Sequence, residues 1–490
     1  MNTYIGIDLG TSSVKLSLVN KDGKILKSVS MEYPIYYPQS GWSEQKPQDW
    51  YDKTIDGLVN LLDGEDKSSV RGISFGGQMH GLVILDKDDN VIRPAILWND
   101  GRTEKETKYL NEKIGKDNLS KYTANIAFAG FTAPKILWVK ENERDNFDKI
   151  VKIMLPKDYL AYKLSGVFAT DYSDASGMLL LNVKNRNWSE EMCQICGITK
   201  NMLPSLYESY EKIGVVLPEI AEKIGIPTDT IVCIGAGDNA AAAIGTGTVE
   251  NGSCNISLGT SGTVFVSFDK FFVDDKNALH SFAHANGKYH LMGCILSAAS
   301  CNKWWIEDVL KSGDYRLEEQ GLEDNLGENE VFFLPYLMGE RSPHNDTSAR
   351  GAFIGMRPST TRKDMSLSIM EGVAFALRDC VEIAKASGVK ITSTNICGGG
   401  AKSAVWRKIM ANVLNIPVVR TEIEEGPSYG SAILAMVANN EYSSVQEACQ
   451  KLIKTKDVTY PDKKIVAKYE KKYKLFTKLY PALKDVYKEF

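Results

Sequence analysis

The chain predicts an α/β protein of two domains that repeat one plan, with a cleft between the halves. Three observations carry this. Asp8-Leu9-Gly10-Thr11-Ser12 recurs as Ser257-Leu258-Gly259-Thr260-Ser261, about half the chain apart. At 490 residues the chain exceeds the roughly 250–300 residues at which a single core stops growing. Helical and strand-like periodicities alternate through both halves, the pattern of sheets covered by helices.

The elements follow in order. Apolar, β-rich runs flank the first motif, so strands at 4–9 and 13–19 form a hairpin with Gly-Thr-Ser at its turn. A third strand at 24–33 follows the Asn20-Lys21-Asp22-Gly23 turn. Helical patterns near 48–62, 104–113 and 134–142 then alternate with strand-like runs at 71–75, 82–85 and 230–235. We place the domain boundary near 248, in the Gly-rich crossing Thr246-Gly247-Thr248-Val249-Glu250-Asn251-Gly252. Beyond it, strands at 253–258 and 262–267 repeat the hairpin, and a helix at 367–386 carries the apolar stripe Leu367, Met370, Val373, Ala374 and Leu377. Near the C-terminus Val466, Tyr469, Tyr473, Phe476 and Tyr480 line one face of a helix opposite lysines, read as docked on its own domain.

Composition removes several function classes. Apolar residues make up 43% and charged residues 24%, and the net charge of −4 leaves no field for holding nucleic acid. Nine scattered cysteines and an N-terminus that enters a strand directly fit a reducing cytoplasm. No run approaches the roughly 18 apolar residues of a membrane span.

The turn motifs hold the first chemistry. Gly-Thr-Ser at a hairpin offers backbone N–H groups and hydroxyls to phosphate oxygens, so Thr11, Ser12, Gly259 and Thr260 suggest a nucleotide gripped between the halves. Asp8 beside such a turn repels phosphate unless a cation intervenes; magnesium through water is the obvious one, with a turn-stabilising Asp as the alternative. Lys15 on the outgoing strand is either a phosphate ligand or a solvated strand lysine. A strand at 231–234 leads into Gly235-Ala236-Gly237-Asp238-Asn239 and an alanine-rich helix. That segment matches the dinucleotide fingerprint in form. An Asp among N–H groups meant for pyrophosphate would repel it, however, and no acidic residue ends a strand about 20 residues on. Asp238 is then either a general base at a helix N-terminus or a helix cap. Gly398-Gly399-Gly400-Ala401-Lys402-Ser403 lacks the glycine before the lysine of a Walker loop. The strand before it and helix after it let a flat or anionic ligand approach the backbone at Gly399, Gly400 and Ala401.

Two further stretches, Gly76-Gly77-Gln78-Met79-His80 and Leu97-Trp98-Asn99-Asp100-Gly101-Arg102, join polar side chains to aromatic or soft apolar ones. This mixture suits a sugar, with its apolar ring face and directed hydroxyls; His80 alone also reads as a satisfied buried histidine. Of the five histidines, only His280 and His284 have the spacing to share a helix face, and no carboxylate flanks them. Cys193-Gln194-Ile195-Cys196 reads as an inert CxxC.

The chain resembles the FGGY carbohydrate kinases over nearly its whole length. Gly130-Phe131-Thr132-Ala133-Pro134-Lys135-Ile136-Leu137-Trp138-Val139-Lys140-Glu141-Asn142 fits the family's first signature, and residues 351–371 fit its second. Within the family it is most similar to the branch acting on D-xylulose. Trp42-Ser43-Glu44-Gln45, Gly77-Gln78-Met79-His80-Gly81, the Trp98-Asn99 stretch, Leu155-Pro156-Lys157-Asp158-Tyr159 and Gly339-Glu340-Arg341-Ser342-Pro343-His344-Asn345 carry that likeness. Members acting on glycerol have Arg-Glu where this chain has Met79-His80.

The resemblance implies a two-domain, actin-like and ribonuclease-H-like ATPase fold with duplicated domains around a central cleft. Residues 1–247 would bind sugar and carry the first phosphate hairpin; residues 248–490 would bind nucleotide. It implies ATP-dependent phosphorylation of D-xylulose to D-xylulose 5-phosphate. Asp238 would be the base, Met79, His80, Trp98, Asn99, Asp238 and Asn239 the sugar contacts, and Asp8 the magnesium ligand. Thr11, Ser12, Lys15, Gly259, Thr260, Gly399, Gly400 and Ala401 would face the nucleotide. Some relatives have Asn where this chain has Ala404, which removes one nucleotide side-chain contact. The implied partners are the sugar and ATP, with no nucleic acid and no membrane, and the assembly allowed for is a homodimer. The rivals are a kinase of ribulose, fuculose or glycerol type, and an actin-like ATPase that moves partners and has no need of the Met79-His80 pocket.

Overall fold

The computed structural model describes residues 1–490 and contains two seven-stranded sheets, one in each half. In the first half β1 (Thr3–Leu9), β2 (Ser13–Asn20) and β3 (Ile25–Glu32) form an antiparallel meander. The first turn is closed by Gly10 N–H donating to the Ser13 carbonyl at 3.0 Å. Helix α1 (Pro47–Leu61) opens with a proline in its first turn and buries Trp50, Leu58 and Leu61 against β2 and β3. Strand β4 (Val70–Gly77) pairs parallel to β1, and β5 (Lys212–Val215) and β6 (Ile231–Cys233) complete the order β5-β6-β4-β1-β2-β3, with Ala236–Gly237 alongside the end of β4. Helix α2 (Asp238–Gly245) starts directly there.

The second half repeats the plan. Strands β7 (Cys254–Leu258), β8 (Gly262–Phe268), β9 (His280–Ala283) and β10 (Tyr289–Ile295) precede the long helix α3 (Arg362–Ala386). Strand β11 (Thr394–Cys397), helix α4 (Ala404–Leu414), strand β12 (Val418–Thr421), helix α5 (Gly426–Ala438) and strand β13 (Thr455–Thr459) follow. The sheet order is β9-β10-β8-β7-β11-β12-β13. Pairing senses match strand for strand: β7 is antiparallel to β8 and parallel to β11, as β1 is to β2 and β4, and β12 pairs β11 and β13 as β6 pairs β4 and β5. The expected duplication is therefore a property of the hydrogen-bonded sheets as well as of the motifs.

Helix α5 belongs to the second half by sequence yet covers the first sheet, lying on β1 and β4 and crossing α2. The approach is close enough to require glycine: a Cβ at Gly430 would stand 1.9 Å from the Ala241 carbonyl oxygen, and one at Gly6 would stand 1.8 Å from that of Ser428.

Several elements differ from their expected form. Helix α3 begins at Arg362 rather than 367 because Thr361 and Asp364 form a reciprocal capping box, with bonds of 3.2 and 2.8 Å. The expected 104–113 helix is Glu104–Tyr109 followed by a π-helical turn, Leu110–Gly115. The C-terminal helix is two, α6 (Lys463–Phe476) and α7 (Leu479–Tyr487), broken at Thr477-Lys478 because Pro481 cannot donate to the carbonyl four residues back. Both dock on the second core through Tyr469, Phe476, Tyr480 and Tyr487. No helix is long and apolar enough to cross a membrane.

Candidate active site

The carboxyl ends of β1, β4 and the Ala236–Gly237 strand lie side by side, since Asp8 pairs with Gly76 and Gly76 with Ala236. Parallel strands that end together form the usual ligand crevice of an open α/β sheet. Asp8, Met79-His80 and Asp238 all stand at this edge.

In the first hairpin, Thr11 is half-buried and Ser12 exposed. The Trp98 indole N–H donates to the Thr11 hydroxyl at 3.0 Å, and Gln45 donates to the Thr11 carbonyl at 2.7 Å. Trp98, expected only on the sugar side, thus also holds the phosphate turn. Asn99 beside it is exposed. Below them Arg102 grips Asp100 and Glu44 and lies 3.8 Å from the Trp42 ring centroid, which fixes the loop that presents Trp98. Lys15 lies directly across from Asp8 in the β1–β2 register. Its ammonium is paired with Glu425, just before α5, so the pair ties the hairpin to the second half. Phosphate contact by Lys15 would require that pair to open.

His80 is buried with φ 70°, a left-handed conformation that aims its ring off the end of β4. The ring Nδ1 bonds the Gly177 carbonyl at 2.8 Å, and the His80 carbonyl accepts from Thr132 and Lys135 at 3.1 and 2.8 Å. Burial, with Lys135 nearby, pushes the imidazole down to about 3, so it stays neutral. Nδ1 donates to the carbonyl, which leaves Nε2 as an acceptor. Gly177 is glycine of necessity: a Cβ there would sit 2.5 Å from the His80 ring. Met79 closes on Asn239, whose amide lies 3.9 Å from its sulfur.

Asp238 opens α2, where the helix dipole favours its charge. It accepts from the Asn239 backbone N–H at 2.6 Å and from its side-chain amide at 2.9 Å. Burial pushes its carboxyl up to about 6 against the Asn239 bond. Burial, and then the charge of Asp238, push Asp8 up to about 7 while Lys15 opposes. A buried carboxyl whose proton affinity is raised by a second carboxylate nearby fits a divalent cation. No group of three His, Cys, Asp or Glu residues could hold one alone. Magnesium here would rest on Asp8 together with phosphate oxygens and water, its usual mode.

On the other side, Leu258, Gly259, Thr260, Gly399, Gly400 and Trp406 line a cavity of about 720 Å³. Ala401 is buried and faces an adjacent cavity of about 230 Å³, lined also by Gly398 and by Gly399, which borders both cavities. Strand β7 sets the second hairpin against the glycine turn: a Cβ at Gly398 would meet Leu258 at 2.7 Å.

Sequence reasoning missed Gln45, Ser173 and Arg341. Ser173 Oγ accepts from Gly237 N–H at 3.2 Å and donates to Asp171 at 2.5 Å, so it steadies the backbone entering Asp238. Arg341 lies near His80 and His280. No local pattern signals these contacts, although Gln45 and Arg341 both lie in stretches singled out above. His280 lies on β9 and His284 just beyond it, not on a helix face, because the segment pairs with β10. Cys193 and Cys196 are buried, which raises their thiols to about 11 and 12 and keeps them unreactive.

Comparison with known proteins bears on the whole chain. The sequence profile of the N-terminal domain of the FGGY family of carbohydrate kinases matches residues 3–245, and that of its C-terminal domain matches residues 254–439. A xylulose kinase of Bacillus subtilis is 39% identical over 490 residues, covering 99% of this chain and 98% of that protein. Among solved structures, a ligand-bound xylulose kinase from Lactobacillus acidophilus superposes with a TM-score of 0.96 at 26% identity, covering 100% of both chains. A gluconate kinase from the same organism also reaches 0.96, at 27% identity, over 100% of this chain and 99% of that one. The architecture is that of the actin-like ATPase fold of sugar kinases. One fold thus serves kinases named for different sugars. With both family domains matched and relatives aligned end to end, the chain belongs to the FGGY family of carbohydrate kinases.

Proposed function

We propose that the protein transfers the γ-phosphoryl group of ATP to the primary hydroxyl of D-xylulose, giving D-xylulose 5-phosphate and ADP. The observation that carries this is the position of Asp238, between the Met79-His80 pocket and the Asp8-Thr11 hairpin. The names of the full-length relatives support xylulose over other sugars. Asp238 accepts the hydroxyl proton as that oxygen attacks the γ-phosphorus in line and the bond to ADP breaks. Its carboxyl, pushed up only to about 6, is ionised at neutral pH and ready for that role. His80 and Asn239 orient the sugar hydroxyls, and backbone N–H groups of both hairpins face the phosphates. Magnesium held at Asp8 would neutralise charge on the transferred group.

The adenosine would lie in the cavity at Gly399-Gly400, so residues 248–490 serve the nucleotide and residues 1–247 the sugar. The reaction takes place in the cytoplasm. ADP release measured against pentuloses, hexuloses, gluconate and polyols tests the assignment: D-xylulose is expected to give the highest kcat/KM, and a preference for any other acceptor rejects it.

A further inference from the structure

We infer that Arg341, carried by the second half, contacts the sugar directly, its guanidinium donating to two neighbouring oxygens of the bound molecule. The inference rests on the sugar kinase reading above and extends its pocket across the cleft. The loop around Arg341 is pinned to the end of β10: Ser342 N–H donates to the Cys294 carbonyl at 3.0 Å, and Glu340 Oε1 accepts from the Leu296 and Arg341 backbone N–H groups at 2.9 and 2.8 Å.

That anchoring carries the Arg341 guanidinium to 5.3 Å from the ring centroid of Phe128, in the first half. Phe128 meets Phe131 edge-on at 5.4 Å, and Phe131 packs on His80 at 4.7 Å. The positive charge lowers the proton affinity of His80 and His280, and Cys294 senses both Arg341 and Asp238. Arg341 therefore lies within electrostatic reach of His80, and Cys294 within reach of both Arg341 and Asp238. Arg341 is half-buried, forms no ion pair and makes no side-chain hydrogen bond within the protein, and Glu340 beside it directs Oε1 to backbone donors instead. Arg93 and Arg102 of the first half, by contrast, are each paired with carboxylates. A planar fork of donors left free beside a sugar pocket matches a carbonyl and adjacent hydroxyl, or two vicinal hydroxyls.

The test uses the full chain with Arg341→Gln and Arg341→Lys. D-xylulose binding is measured by calorimetry without nucleotide, and kinetics with sugar and ATP each varied. Arg341→Gln is expected to raise the Kd and KM for D-xylulose roughly 10- to 100-fold, the worth of hydrogen bonds from a charged donor. KM for ATP should stay within about twofold. Arg341→Lys keeps the charge without the fork and should fall between. Unchanged sugar binding with reduced kcat would place Arg341 on the transferred phosphoryl group and overturn the inference. So would equal loss in both variants accompanied by a lower Tm, which marks a structural role. Wild-type turnover on the acceptor panel tests the D-xylulose assignment separately; should another sugar prove the substrate, the same Kd ratio is read with that sugar.

Discussion

Asp238 and Glu340 show how burial is put to different uses by single residues. Asp238 sits at the cleft with its carboxyl near 6, so Asp238→Asn should lower kcat by roughly 10²–10⁴-fold, the worth of a positioned base. ATP should still bind. A coupled ADP assay and a nucleotide titration check the pair, and near-normal turnover removes the role. In the proposed reaction His80 would offer Nε2 to the sugar, Nδ1 being held by Gly177. His80→Ala should cost about 1–3 kcal/mol in kcat/KM for the sugar with ATP affinity unchanged, as steady-state kinetics will report. Glu340 accepts from the Leu296 and Arg341 backbone N–H groups and is pushed up to about 8 by burial. A carboxyl raised in the folded state stabilises fully below its unfolded value and loses that contribution as pH climbs to the folded one. Glu340→Gln, which keeps the acceptor for Leu296 and Arg341, should therefore gain on wild type between about pH 4.5 and 8, by roughly a few degrees in Tm at the upper end. A difference in Tm that stays flat over that range contradicts the assignment. At this scale the sequence was legible where the pattern is local: Asp8 at the end of β1, Thr11 and Thr260 at the hairpin bends and Asp238 at the start of α2 stand where the motif spacing puts them. Arg341 over Phe128 and Lys15 on Glu425 were not, because each joins residues that are distant in sequence through tertiary packing alone.

Elements were legible to the degree that their periodicity is self-contained. The two hairpins and helix α1 came through because apolar alternation and turn chemistry agree. The start of α3 was misplaced because a capping box outweighs the first apolar residue of the stripe. The C-terminal stripe ran on through Pro481, where side-chain periodicity persists but the backbone cannot. The His280 segment was open to a helical reading because a four-residue spacing is compatible with both periods, and pairing with β10 decides for strand. The crossing of α2 and α5 is an element contact with little tolerance. Gly430→Ala would drive a methyl to 1.9 Å from the Ala241 carbonyl oxygen, a backbone atom that cannot rotate aside. The helices must separate, and overpacking of this kind costs about 1–3 kcal/mol or more. The expected outcome is a lowered denaturation midpoint with activity lost in parallel, since α2 carries Asp238. Denaturant unfolding of Gly430→Ala beside wild type measures it, and equal midpoints would mean that the crossing has slack the structure does not show.

For the molecule as a whole, duplication was legible from the repeated turn motif, and the matched strand pairing of the two sheets bears it out. The exchange between halves was not legible, because nothing in the sequence of α5 says which sheet it covers. One buried cluster combines Tyr4, Val19, Ala240, Ala241 and Ile244 of the first half with Tyr429, Ala432, Ile433 and Leu434 of α5. Without α5, β1 and β4 expose an apolar face, and Gly6 leaves a hollow in it that the backbone of the helix fills. A chain ending at residue 247 therefore lacks one covering layer of its own sheet, although it holds every strand of that sheet. A sheet needs both apolar faces covered to be stable. The fragment 1–247 expressed alone should bind ANS, unfold without a cooperative transition and aggregate. Coexpression with 248–490 should return a soluble one-to-one complex, because α5 then docks in trans. Calorimetry and sedimentation of both preparations decide it. A soluble, cooperatively unfolding 1–247 monomer would show that the first half holds its sheet without α5, and that the halves are joined by the chain rather than by their packing.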